Sequence, residues 1–113
     1  MFYTYNQNNS GGFFVLDDTV THHVIVEADS HEDADSRAEG AGLYFDGCRK
    51  GFDCSCCGDR WSRQWLDEGD PEPMIYDTPV ASFTEMFAQK GQRYAYVYYK
   101  DGSKVSFGQE GDA

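Results

Sequence analysis

All four cysteines of this 113-residue chain fall in one stretch, Cys48-Arg-Lys-Gly-Phe-Asp-Cys54-Ser-Cys56-Cys57-Gly58-Asp59-Arg60-Trp61. Within it, Cys54 to Gly58 is a C-x-x-C followed by glycine, the pattern of a zinc knuckle. In that turn backbone N–H groups point at the thiolates and the glycine accepts a positive φ. Four thiols match one tetrahedral structural site, so zinc is expected on Cys48, Cys54, Cys56 and Cys57, with His22 and His23 as alternate ligands and His31 in reserve. The spacing C-x5-C-x-C-C is irregular, because the adjacent Cys56 and Cys57 cannot both adopt knuckle geometry without local distortion. Cys54 and Cys57 therefore lead, Cys48 follows, and the fourth position is open between Cys56 and a histidine. Two other readings of the cluster are reduced thiols buried as small hydrophobes, and a disulfide or redox pair. A thioredoxin-like role is disfavoured, since Gly58-Asp59-Arg60-Trp61-Ser62 does not read as an apolar helix whose N-terminus would lower a thiol pKa.

The elements that must position this stretch are short. Phe2-Tyr3-Thr4-Tyr5 and Phe13-Phe14-Val15-Leu16 are β-rich runs, and the polar segment 6–12 between them predicts a hairpin with a long, mobile tip. Val20 to Ala28 predicts a strand, with His22, Val24 and Val26 on one face and His23 on the other. Both histidines then have an ordinary surface or half-buried strand reading beside the metal one. Ser30 followed by Asp33 predicts a capped helix to about Glu39, its inward face Ala34, Ala38 and Ala41, with Gly40 and Gly42 at its end. Leu43-Tyr44-Phe45 is a short strand or turn leading to Cys48.

Trp61 to Trp65 fits a strand better than a helical turn, and Leu66 to Pro73 reads as an acidic loop. Met74-Ile75-Tyr76, between Pro73 and Pro79, suits an edge or extended connection. Ser82-Phe83-Thr84-Glu85 has capping-box spacing and predicts a second short helix to Lys90, burying Phe83, Met86 and Phe87. Arg93 to Tyr99 and Lys104 to Phe107 flank Asp101-Gly102, a strong hairpin signal. The order implies an α+β fold: one small domain, 1–113, mainly antiparallel sheet with two short helices on one face, a cysteine/tryptophan loop at 46–65 and a flexible tail at 108–113. Residues 45–80 hold few aliphatic side chains, so a cross-link from Cys48 to Cys57 is expected to hold the base of that loop.

Composition bounds the function. With 40% hydrophobic and 16% aromatic residues the chain can build a core, while a net charge of -11 repels nucleic acid and anionic lipid and favours basic partners or cations. No signal peptide or membrane-length apolar run is visible, which suggests the cytoplasm, where clustered cysteines are more often metal ligands or reactive thiols than disulfides.

The motif Cys54-x-Cys56-Cys57-Gly58-Asp59-Arg60-Trp61, together with the opening Met1-Phe2-Tyr3-Thr4-Tyr5-Asn6, resembles small uncharacterised accessory proteins of tailed bacteriophages. The resemblance spans much of the chain and brings no activity with it. It implies a setting, the infected bacterial cytoplasm, where short acidic proteins bind and blunt host or defence factors.

The leading expectation is a non-enzymatic binding protein that meets a basic host or defence protein through Glu32, Asp33 and Asp35 and a second patch at Asp67 and Glu68, within the larger acidic set Glu27, Asp29, Glu39, Asp70 and Glu72. The plain alternative is a solvated acidic surface that keeps the protein soluble. An enzyme would need an open metal position and a base such as Asp53 or Asp59, yet the chain has no H-x-E before P-C-x-x-C, no H-E-x-x-H, no phosphate loop and no nucleophile elbow. A third reading is a sponge for a small nucleotide-like ligand, with Tyr94, Tyr96 and Tyr98 beside Arg60, Arg63 or Arg93.

Overall fold

A computed structural model of the chain describes residues 1–64, 69–85 and 92–108. Its centre is a four-stranded sheet of β1 (Phe2–Asn6), β2 (His23–Glu27), β5 (Arg93–Tyr98) and β6 (Lys104–Gly108), side by side in that order. β1 runs antiparallel to β2, pairing Phe2 with Glu27 and Asn6 with His23, and β5 runs antiparallel to β6. The central pair β2 and β5 is parallel, with His23 opposite Ala95 and Val26 opposite Tyr98. The sheet is thus mainly antiparallel around a parallel middle. This suits a central strand buried on both faces: four of the five residues of β2 are buried.

Period-two alternation divides the core in two. Tyr3, Tyr5, Val24 and Val26 face α1 (His31–Ala41), and Val20, Ala28, Leu43, Phe45 and Trp61 complete that cluster. Ala34 and Ala38 are fully buried, so α1 lies close to the sheet on small side chains. Ser30 caps it as anticipated, its hydroxyl accepting from the Asp33 N–H at 3.1 Å. Gly42, at φ 122, ends it, and its N–H returns to the helix carbonyls. On the opposite face Ile25, Ala95 and Val97 pack with Ile75, Val80 and Tyr94, beneath the two-residue hairpin of β3 (Met74–Ile75) and β4 (Thr78–Pro79). Full burial of each Ile or Val is worth about 1.5–3 kcal/mol.

Several expectations change. Phe13 to Leu16 forms no strand, because a side chain takes over its ladder: Gln7 Oε1 accepts from the Val15 N–H at 2.6 Å, and Gln7 Nε2 donates to the Val15 and Thr21 carbonyls. The segment 6–12 is likewise no free tip, since Gln7 and Ser10 are buried. Residues 43–45 and 61–64 form no strand either, although Leu43, Phe45 and Trp61 are buried. The second helix, α2 (Gly47–Lys50), lies inside the cysteine stretch. At the position expected for a second helix, Val80–Ser82 is one 3-10 turn and 83–85 is non-helical, while Met86 and Phe87, like Trp65, lie outside the described residues. The last hairpin forms as foreseen. Tyr99 N–H bonds to the Ser103 carbonyl and Gly102 N–H to the Tyr99 carbonyl, with Gly102 at φ 93. Among the described residues no helix is long and apolar enough to cross a membrane.

Candidate functional site

The cysteine stretch is positioned by a buried ion pair that joins it to the N-terminal segment. Asp53 and Arg60 have side chains 0% and 3% exposed, with Arg60 Nε 3.7 Å from Asp53 Oδ1. The guanidinium spends its donors in several directions. Nε donates to the Tyr44 hydroxyl at 3.1 Å, one terminal nitrogen to Gln7 Oε1 at 3.0 Å and the Phe13 carbonyl at 2.8 Å, and the other to the Ser10 carbonyl at 2.7 Å. The Phe13 ring covers it, 4.6 Å from the guanidinium carbon. Asp53 accepts from the Tyr44 hydroxyl at 2.5 Å and the Arg60 N–H at 2.7 Å. A buried charge pair is tolerable only when its remaining donors and acceptors are met, which is the case here. Burial raises the Tyr44 pKa first, and its hydrogen bond to Asp53 adds to that.

Further bonds tie the same two segments. Asn8 Nδ2 donates to the Cys57 carbonyl at 2.8 Å and the Asp59 carbonyl at 3.2 Å, and the Cys54 N–H donates to the Ser10 hydroxyl at 3.0 Å. Gly47 is required by proximity: a Cβ there would stand 1.9 Å from Asp53 Oδ2 and 2.8 Å from the Tyr44 ring. The base of the loop is therefore held by Arg60 and Asp53 themselves.

The thiols are not equivalent. Cys54 and Cys57 close a turn in which Gly58 has the positive φ, 92, that the C-x-x-C-G pattern implied, while the Cys57 and Gly58 N–H groups both reach the Cys54 carbonyl at 3.1 Å rather than a thiol. The neighbouring Cys57 thiol, first, and the nearby backbone N–H groups of the turn hold the Cys54 pKa below the ordinary thiol value. Cys48 faces elsewhere, its thiol donating to the Cys54 carbonyl at 3.4 Å. Its pKa is pushed up to about 11, by desolvation first and then by Asp59 and other nearby negative groups. Cys56 and Cys57 are exposed. No three His, Cys, Asp or Glu side chains among the described residues are gathered closely enough to hold a metal ion.

The other candidates are dispersed. His22 and His23 are buried, more deeply than a surface or half-buried strand reading anticipates. His23 Nε2 lies 2.7 Å from Glu85 Oε1, and its Nδ1 lies 2.7 Å from the side-chain amide of Asn6. Burial holds the pKa of His23 below the ordinary value, and the Glu85 carboxylate opposes that shift. His22 lies against Phe14, 4.6 Å between ring centroids, its Nδ1 buried without a hydrogen bond and its pKa lowered by desolvation.

On α1, Glu32 and Glu39 are exposed. Asp33 accepts from Arg37 at 2.9 Å. Asp35 is built into the fold, accepting from the Tyr5 hydroxyl at 2.6 Å and the Gln64 N–H at 2.9 Å. Asp67 and Glu68 lie outside the described residues. The tyrosine hydroxyls of the last hairpin are occupied: Tyr96 donates to the Asp17 carbonyl at 2.6 Å, Tyr98 to the Thr19 carbonyl at 2.5 Å, and Tyr94 to the Phe83 carbonyl.

Asp53 enters the sequence reading only as a possible base, and Gln7, Asn8 and Ser10 only as loop residues. Nothing in a polar run of this kind signals that it wraps a guanidinium fifty positions away.

A search of curated proteins and a search of solved structures each returned no match. A family model described as a domain of unknown function (DUF7296) matches residues 1–113. The chain belongs to that family.

Proposed function

We propose that this protein is a non-enzymatic acidic binding module whose α1 face, led by Glu32 and Glu39 with Asp33 and Asp35 beside them, engages a basic protein surface. The observation that carries this reading is where the cations go. Arg37 pairs with Asp33, Arg49 and Arg63 with Asp46, and Lys100 with Asp29, while Arg60 is buried. Lys104 donates to the Asp18 carbonyl and lies over the Tyr96 ring. With most of the nine Lys and Arg engaged inside the molecule and twenty Asp and Glu in the chain, acidic side chains are left without a basic partner, Glu32 and Glu39 exposed on α1 among them. Such a field steers a basic partner in a salt-dependent way. The likeness to phage accessory proteins supplies the setting, a host or defence factor in the infected cell.

Affinity capture from infected cells, with wild type and Glu32→Lys/Glu39→Lys in parallel, tests the reading. A basic protein held by the wild type, released by salt and lost with the variant is the expected result. An identical set of captured proteins for both baits returns these carboxylates to the role of solvated surface.

A further inference from the structure

We propose that the cleft between the 3-10 turn at Val80–Ser82 and the end of the β5–β6 hairpin binds a small planar monocarboxylate, with Arg93 receiving the carboxylate and Phe83 and Phe107 lying against the apolar body. The cleft has a volume of about 390 Å³, the size of a small-molecule site, and its walls come from residues 81–84, 93–94 and 106–108. Among the described residues that line it Arg93 is the one with a charge, in a chain with twenty Asp and Glu. That charge is unspent. Arg37, Arg49, Arg60 and Arg63 each have a carboxylate within ion-pair distance, whereas Arg93 is exposed and has none among the described residues. The backbone aims it. The β5–β6 register shifts between Arg93 and Ala95, an irregularity of the kind that redirects a side chain, and Arg93 lies opposite Gly108. A Cβ at Gly108 would stand 2.8 Å from Arg93 Cδ and 2.5 Å from the Gln92 carbonyl oxygen, so glycine there leaves the space that the arginine stem occupies.

The rest of the lining fits a planar acid. Phe83 and Phe107 are half-buried and offer apolar contact, with the exposed polar residues Ser82 and Thr84 beside them. The wall that carries Phe83 is fixed in place: Tyr94 donates its hydroxyl to the Phe83 carbonyl, and the Phe83 ring packs edge-on against His23 at 5.3 Å between centroids. Charge selects the anion. A guanidinium fork matches carboxylate and phosphate alike. A phosphate monoester, however, carries about two negative charges at neutral pH, and each added charge is opposed by the net -11 of the chain. A singly charged carboxylate is opposed least. Arg93 also borders a second cleft, of about 360 Å³, but Asp18 lines that one and its carboxylate repels an anion, so the ligand belongs in the first.

The test is fluorine NMR of para-fluorobenzoate and para-fluorophenylacetate titrated with the full chain, beside the neutral para-fluorobenzamide and the dianionic para-fluorophenyl phosphate. The expected result is saturable binding of at least one carboxylate, with the amide bound at least about tenfold more weakly because it cannot form the charge-assisted pair. Arg93→Gln should lose the carboxylate to the same degree with circular dichroism unchanged, Arg93→Lys should retain part of it, and Arg49→Gln, which alters an exposed cation elsewhere, should bind as the wild type does. Amide shifts on binding should fall at 82–84 and 106–108. Failure of both carboxylates to bind, equal binding of acid and amide, or equal losses in Arg93→Gln and Arg49→Gln would overturn the proposal. Tighter binding of the phosphate than of either carboxylate would overturn the choice of a monoanion in favour of a phosphate site.

Discussion

Arg60 illustrates how one side chain can decide the shape of a loop that has little core of its own. Replacing it with Ala would leave Asp53 charged, with a side chain 0% exposed, and would strand the Ser10, Phe13 and Gln7 acceptors, a loss of about 3–5 kcal/mol. Arg60→Lys should recover little of it, because an ammonium cannot reproduce the planar fork. Chemical denaturation measures both. Gly47→Ala should damage the same clamp from the other side, by forcing the new methyl against the Asp53 carboxylate. The histidines of β2 and its approach set an acid limit. Burial lowers the pKa of His22 and His23 in the fold, whereas the unfolded chain takes up their protons near the ordinary value. The unfolded state therefore binds more protons, and stability falls as pH drops below about 6.5. His22→Phe, which keeps an aromatic ring against Phe14 and removes the unbonded Nδ1, should lessen that fall and add about 1 kcal/mol near pH 5. Denaturation midpoints across pH check it, and equal acid sensitivity in the variant would refute the assignment.

Among the elements, α1 and the β5–β6 hairpin could be read directly, because each carries its own local signal: a capping serine with alanines at helical spacing, and Asp-Gly between alternating aromatic residues. The pairing of β1 could not, since the run at 13–16 is also rich in β-formers, yet in the fold the Val15 backbone bonds to the Gln7 side chain and not to a strand. The parallel pairing of β2 with β5 was equally hidden, being a contact between residues some seventy positions apart. At the site, the tight turn with Gly58 at positive φ was legible from C-x-x-C-G, whereas the clamp was not, because it uses loop residues with no periodicity. Local rules also yield two element-scale expectations. Ala38→Leu should overpack the helix–sheet contact at a cost of about 1–3 kcal/mol. Asp77, at φ 63 in the tight turn between β3 and β4, is held in a conformation that glycine adopts freely, so Asp77→Gly should stabilise by about 0.5 kcal/mol. Thermal melts of the two variants should shift in opposite directions.

For the whole molecule, a net charge of -11 means self-repulsion, so moderate salt should raise the melting temperature even as it weakens any association made through α1. Glu32→Lys/Glu39→Lys should then fold at least as well as the wild type, because both side chains are exposed on the helix surface. Asp35→Lys should not, since it breaks the bond to Tyr5. The parallel centre of the sheet has one more consequence, and it concerns how the chain is born. During synthesis β1 and β2 emerge early and can pair with each other, but the other edge of β2, His23 to Glu27, has no neighbour until Arg93 to Tyr98 has left the ribosome. Until then the most apolar strand of the sheet is an open edge, the kind of surface that nascent chains aggregate through. A message cut short anywhere before codon 93 would thus release a product missing the partner of its own central strand, and the cell would meet it as a substrate for chaperones and proteases rather than as a smaller version of the same protein.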